Sequence, residues 1–218
     1  MKILIVGAGR LGEQAAHLLA ATGHEVTVVD RDQRRLDGLA GERLHRLVRG
    51  DACEPYILEQ SGALNTDLLL AATAEDEDNL VIALLAKRQF AVGRVLARVN
   101  DPDNAWLFDS RWGVDVALPG AAPMVSLIEE AAGITDTVGL MRLAAAGVSL
   151  IETHIDARSG AAGRTLADVA LPDGTVVATV VHAGRPVVPD SGYRFQAGDT
   201  VLVVTHAATE HDIHDAFQ

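Results

Sequence analysis

The chain is poor in the residue types that would place it in several common classes. It has one cysteine, Cys53, among 218 residues, so an internal disulfide is excluded and a reducing compartment fits. No partner cysteine accompanies Cys53, which reads as a small half-buried side chain rather than a redox centre. Positive charge is also scarce: 18 Lys and Arg against 30 Asp and Glu leave a formal charge of −12, spread over both halves. A polyanion would be repelled, so nucleic acid is not an expected partner. Apolar runs are short, and the longest, such as Leu80 to Ala86, fall far below the ~20 residues of a membrane span. Met1-Lys2 leads directly into an apolar run, which argues against a signal peptide. Aromatics make up 4% of the chain, yet 49% of it is hydrophobic, enough for a core built of aliphatic side chains.

What is present is organised from the first residues. Ile3-Leu4-Ile5-Val6 precede G-A-G-R-L-G at Gly7 to Gly12, and a second apolar run, Glu25 to Val29, ends at Asp30. The arrangement predicts a strand, a turn too tight for a Cβ, and a helix whose free N–H groups face a pyrophosphate. Gly7 would make the turn, Gly9 would let the backbone approach the phosphates, and Gly12 would let the helix from Leu11 to about Thr22 pack on the sheet. Gly23 would then serve as that helix's C-cap. Asp30 stands where an acid accepts the ribose hydroxyls, which favours NAD over NADP. Arg31, Arg34 and Arg35 leave that choice open, because basic residues there also hold a 2′-phosphate.

The alternation continues along the chain. Helices are expected at Gln33 to Leu39, at Pro55 to Ser61 and from Glu75 to Phe90, the last opened by a capping box at Thr73 to Asp76 and buried all round between Leu80 and Ala86. Strands are expected at His45 to Arg49, Asp67 to Ala72, Val95 to Val99 and Val114 to Leu118, and a helix from Asp101-Pro102 carries Trp106 and Phe108. The reading is an α/β fold, a Rossmann-like doubly wound parallel sheet over residues 1–119. Pro119 to Pro123 breaks the pattern, and a linker over 120–138 holds an amphipathic helix at Met124 to Ala132. Residues 139–218 then read as a small β-rich α+β domain, with strands at Leu140 to Ala144, Ser149 to Ile155, Thr175 to His182, Pro186 to Val188 and Thr200 to Thr205. Thr165 to Asp168 cap a short helix between two of them.

Several segments together carry a family resemblance over essentially the whole chain. They are G-A-G-R-L-G, V-V-D-R-D at Val28 to Asp32, G-D-A at Gly50 to Ala52, A-A-T-A-E-D-E-D-N at Ala71 to Asn79 and A-R-V-N-D-P at Ala97 to Pro102. G-R-T-L-A-D at Gly163 to Asp168 and F-Q-A-G-D-T-V-L-V at Phe195 to Val203 complete the set. The sequence resembles the regulatory subunits of Trk/Ktr-type potassium uptake systems, which pair an RCK nucleotide-binding domain with an RCK C-terminal domain. The resemblance implies a cytoplasmic subunit, peripheral on the membrane through its partner, that binds NAD(H) or ATP/ADP without turnover and gates a potassium-translocating membrane subunit. It implies self-association into dimers and rings, or pairing with a second single-copy subunit, with the Met124 to Ala132 helix as the crossover element.

The same resemblance distributes roles. Arg10 reaches a phosphate, or stays a solvated surface arginine; Asp51 and Ala52 flank the adenine, with Asp51 also readable as a plain turn residue. Ala72 and Thr73 end the fourth strand beside the ligand, and Thr73 is either a helix cap or a ligand contact. Ala8, Leu11, Arg31, Ala74, Glu75 and Asn79 complete the binding set. Arg98 lies in an otherwise apolar strand, so its charge needs a nucleotide phosphate or an internal carboxylate. Glu75 to Asp78 read as favourable charge at a helix start, with a divalent cation as the lesser alternative. His211 and His214 have helical spacing for a metal but also fit a solvated terminal helix. Two other functions compete. A small NAD-dependent oxidoreductase would need a His, Tyr or Lys beside the nicotinamide, and the switch-point loops offer only Glu75, Asp76, Asn79 and Asn100. An RCK regulator of another cation channel or antiporter would carry the same sequence features.

Overall fold

The computed structural model describes residues 1–40, 46–120, 124, 125, 128, 132, 135–143 and 147–218. The chain divides into two compact units, Met1–Gly120 and Ala121–Gln218.

The first unit is a six-stranded, wholly parallel sheet: β1 (Lys2–Val6), β2 (Glu25–Asp30), β3 (Arg46–Arg49), β4 (Leu68–Ala71), β5 (Arg94–Val99) and β6 (Val116–Pro119), in the spatial order β3-β2-β1-β4-β5-β6. The strands read as nearly unbroken apolar runs because both faces are covered. Leu4 and Val6 of β1 join Leu69, Val95 and Ala97 on one face, against Ile82, Ala83 and Ala86 of helix α4 (Asp76–Arg88). Ile3 and Ile5 point the other way, with Val26 and Val28, onto Ala16 of α1 (Arg10–Ala21) and Leu36 of α2 (Gln33–Gly38). The alternation along one strand feeds two helical layers, which is what a doubly wound sheet requires. Helix α3 (Pro55–Gln60) starts on proline and buries Leu58. Strand order reverses between β1 and β4, so the loops leaving their carboxyl ends diverge and open a crevice there.

Four local expectations change in this unit. Thr73 does not cap α4: the N-cap is Glu75, with no side-chain bond, because the Thr73 hydroxyl is committed to Asn79 Oδ1 at 2.8 Å and Asp76 faces the next loop. Nor is α4 buried all round; Val81 is exposed, and burial follows the stripe that meets the sheet. The segment after Asp101 forms a 3-10 helix, Pro102–Leu107, that leaves Trp106 exposed and Phe108 buried just beyond its end. The last strand starts two residues later than Val114.

The second unit is antiparallel throughout, with strands β7 (Thr137–Leu143), β8 (Val148–His154), β9 (Thr175–His182), β10 (Arg185–Val187) and β11 (Thr200–Thr205) in the order β10-β9-β11-β8-β7. Ile151, Val180, Val201 and Val203 form its core with Phe195, Ile213 and Phe217, the last two supplied by the terminal helix α5 (Glu210–Phe217). Thr209 and Asp212 cap α5 reciprocally, and Thr165 and Asp168 do the same for a 3-10 turn at Leu166–Asp168. The helix expected over Met124 to Ala132 and the strand start at His45 lie largely outside the described residues. Among the described residues no helix is long and apolar enough to cross a membrane.

Candidate functional site

The crevice between β1 and β4 holds a cavity of about 260 Å³ walled by the loops after β1, β2, β3 and β4. Its glycines differ in why they lack a side chain. Gly7 has φ of +101°, donates its N–H to Val29 O at 2.8 Å, and would bring a Cβ within 2.7 Å of Ala72 O. A Cβ on Gly12 would lie 1.8 Å from Gly7 O, so the start of α1 rests directly on the turn. Gly9 is different: its backbone is extended, and a Cβ there would meet nothing nearer than Arg35 Nη1 at 4.0 Å. Among the described residues no neighbour requires glycine at that position. Helix α1 also begins without a side-chain cap, leaving first-turn N–H donors available. This cradle fits a pyrophosphate.

Asp30 closes β2 and is nearly buried at 9% exposure. Its Oδ2 accepts from Ala8 N at 2.6 Å and its Oδ1 from Asp32 N at 2.8 Å. The acid therefore ties the glycine turn to β2, and its remaining lone pairs are available to ribose hydroxyls on the cavity side. Arg31, the next residue, spans the site: its Nε lies 3.2 Å from Asp51 Oδ2, after β3, and its Nη2 bonds Asp78 Oδ2 in the first turn of α4. Arg35 stands 3.8 Å from Asp30 and 3.9 Å from Asp32.

Of the residues expected to bind the nucleotide, Gly7, Asp30, Arg31, Asp51, Ala52, Thr73, Ala74 and Glu75 line the cavity together. Ala8, Gly9, Arg10, Leu11, Gly12 and Ala72 stand behind or beside that wall, on the turn, the start of α1 and the end of β4. Arg10 is exposed at the first position of α1. Asn79 is fully buried and does not face the cavity; it accepts from Thr73 N at 2.9 Å and donates to Arg98 O at 3.0 Å, locking the β4–α4 loop to β5. Arg98 is half-buried beside Gly120, away from the lining, and among the described residues no carboxylate pairs with it.

The cavity also uses Asp32, Arg35, Gly50, Asp78 and Ile82, outside the expected set. Asp78 was discoverable one helical turn after Glu75, but only the arrival of Arg31 shows which way it works. The neighbouring acid Asp76 takes four hydrogen bonds, from Asn100 N and Nδ2, Asp101 N and Asn104 Nδ2. Burial opposes its charge, yet these donors hold its carboxyl below the usual range. Both acids thus have protein donors of their own, and among the described residues no cluster of His, Cys, Asp and Glu is arranged to hold a metal. His211 Nε2 lies 3.5 Å from Asp215 on the exposed face of α5. Burial raises the Cys53 thiol to about 12, with the charges of Asp78 and Asp51 adding to it.

Comparison with known proteins agrees with this architecture. Residues 3–119 match the TrkA-N domain and residues 150–218 the TrkA-C domain. A Trk system potassium uptake protein TrkA of Mycobacterium tuberculosis is 37% identical over 98% of this chain and 96% of its own length. Among solved structures, the GsuK channel bound to NAD superposes with a TM-score of 0.56 at 16% identity, over 94% of this chain and 37% of that one. The Shewanella denitrificans Kef C-terminal domain in its AMP-bound form gives 0.52 at 23% identity, over 67% and 86%. The chain thus spans less than half of the channel and nearly all of the mycobacterial relative. With both domains matched in this order, and a relative of this identity along its whole length, the chain belongs to the TrkA family of Trk system potassium uptake proteins.

Proposed function

We propose that the chain is a nucleotide-sensing regulatory subunit of a potassium uptake system, binding NAD(H) or ATP/ADP in the crevice between β1 and β4 and gating a membrane potassium-translocating subunit without turning the ligand over. The observation that carries this reading is Gly9, whose lack of a side chain no contact among the described residues explains and which a phosphate at close range would explain. Gly7 to Gly12 would hold the phosphates, with Arg10 reaching outward to one of them. Asp30 would accept the ribose hydroxyls, Asp51 and Ala52 would border the adenine, and Ala72 to Glu75 would close the side toward β4. Asn79 would position Thr73, and Arg98 would face a phosphate or another anion.

Among the described residues, the cavity wall carries carboxylates but no His, Tyr or Lys, side chains that commonly move the proton in hydride chemistry; this supports sensing over an oxidoreductase. Regulation then rests on differential affinity: the nucleotide must bind one arrangement of an assembly of such subunits better than another. The mycobacterial relative's name and the solved structures holding NAD and AMP support the same reading. Its place would be the cytoplasmic face of the membrane, reached through the partner.

Calorimetric titration of the full chain with NADH, ATP and ADP, beside light scattering with and without ligand, tests the proposal. Saturable binding by a multimer, with no loss of NADH absorbance in the presence of small carbonyl compounds, is expected. A monomer that binds none of the three, or steady NADH consumption, would overturn it. Co-purification with a cation channel or antiporter outside potassium uptake would move the same sensor to a different partner.

A further inference from the structure

Resting on the nucleotide-binding reading above, we infer that the cavity selects an adenosine ribose with a free 2′-hydroxyl and rejects a 2′-phosphate, and that Asp51 and Asp78 enforce the choice by occupying Arg31. The sequence alone leaves this open, since three arginines follow β2 and free arginines at that place hold a 2′-phosphate. The tertiary structure removes the one nearest the acid. Two of the three nitrogens of the Arg31 guanidinium are engaged, Nε by Asp51 at 3.2 Å and Nη2 by Asp78, two carboxylates delivered by separate elements. Arg35 stays within 4 Å of Asp30 and Asp32, and Arg34 does not line the cavity.

The lining therefore carries five carboxylates, Asp30, Asp32, Asp51, Glu75 and Asp78, against the two guanidiniums of Arg31 and Arg35. A dianionic 2′-phosphate would enter a wall with three net negative charges and would compete with two carboxylates for Arg31. Arg31 is 56% exposed, so each ion pair is individually weak; the discrimination comes from the summed field of the wall. A 2′-hydroxyl meets the opposite situation. It donates to Asp30, whose oxygens the Ala8 and Asp32 N–H groups already orient.

Titrating the full chain with NADH and NADPH tests this, because an affinity change common to both ligands cancels in their ratio. The native chain is expected to bind NADPH at least tenfold more weakly, on the order of one charge repulsion in a partly screened site. Asp78→Asn releases Nη2 of Arg31 and is expected to narrow the ratio at least threefold; Asp51→Asn is the second variant if the first does not fold. In an Arg31→Gln background the same Asp78→Asn change is expected to narrow it less, since no arginine remains to be released. Equal binding of NADH and NADPH by the native chain, or an unchanged ratio in Asp78→Asn and Asp51→Asn, would overturn this inference while leaving the sensor reading standing. Binding of neither dinucleotide nor ADP would overturn the sensor reading, and this inference with it.

Discussion

Gly9 and Gly12 stand three residues apart, at the N-cap and in the first turn of α1, yet alanine at the two positions should have opposite consequences. At Gly12 the added Cβ would be placed 1.8 Å from the carbonyl oxygen of Gly7, a backbone atom on a turn that is itself bonded to Val29 and pressed against Ala72. Neither side can yield by a rotamer change, so α1 must lift from the sheet and its own fully buried Ala16 loses contact. Overpacking of this kind costs about 3 kcal/mol, toward the upper end for one added methyl group. At Gly9 the backbone is extended and the nearest atom is the tip of a flexible arginine at 4.0 Å. Gly9→Ala should therefore change stability by less than about 1 kcal/mol, with restriction of the unfolded chain even favouring the variant, while nucleotide affinity falls at least tenfold. Trp106 and Trp112 are the chain's two tryptophans and both lie in the first unit, so urea unfolding followed by tryptophan fluorescence reports on the unit that carries the turn. The reasoning fails if Gly12→Ala unfolds with the native protein, or if Gly9→Ala is destabilised as much as Gly12→Ala.

Two further outcomes follow from groups around the cavity. Asp76→Ala strands the part-buried donors of Asn100, Asp101 and Asn104 and should cost about 2 kcal/mol at neutral pH. Because the folded carboxyl is held below its usual range, that contribution is present above the unfolded value of about 3.9 and disappears as pH falls through the folded one. The gap between native and variant in urea midpoints should accordingly persist down to about pH 4 and close below it; a gap that widens on acidification would refute the assignment. Cys53, with its thiol raised to about 12, should react with iodoacetamide at pH 8 on the order of fiftyfold more slowly than a peptide thiol, the scarcity of thiolate being partly offset by its higher nucleophilicity. Labelling at the peptide rate would show that the thiol is not held as described.

Much of the first unit was legible locally. The glycine turn, α1 and β2 follow from periodicity and from the spacing of glycines at one strand–helix junction, a pattern contained in residues 1–30. Thr175 to His182 and Thr200 to Thr205 were readable for the same reason, being apolar or β-branched runs between turn residues. The misread cap at Thr73 shows the boundary of such reasoning: its composition suits a capping box, but Asn79 and the distant Asn100 loop compete for the same polar atoms and win.

By itself, then, the sequence determined the order of elements, the presence of a phosphate-type turn and an acid at the end of the next strand, because short-range sterics and hydrogen bonding settle those. Only the tertiary structure decided what surrounds that acid. The parallel order β3-β2-β1-β4 brings the loops after β2, β3 and β4 to one crevice, so that Arg31 meets Asp51 and the more distant Asp78. A charge's partner is set by which strand lies beside which, and no local pattern encodes that.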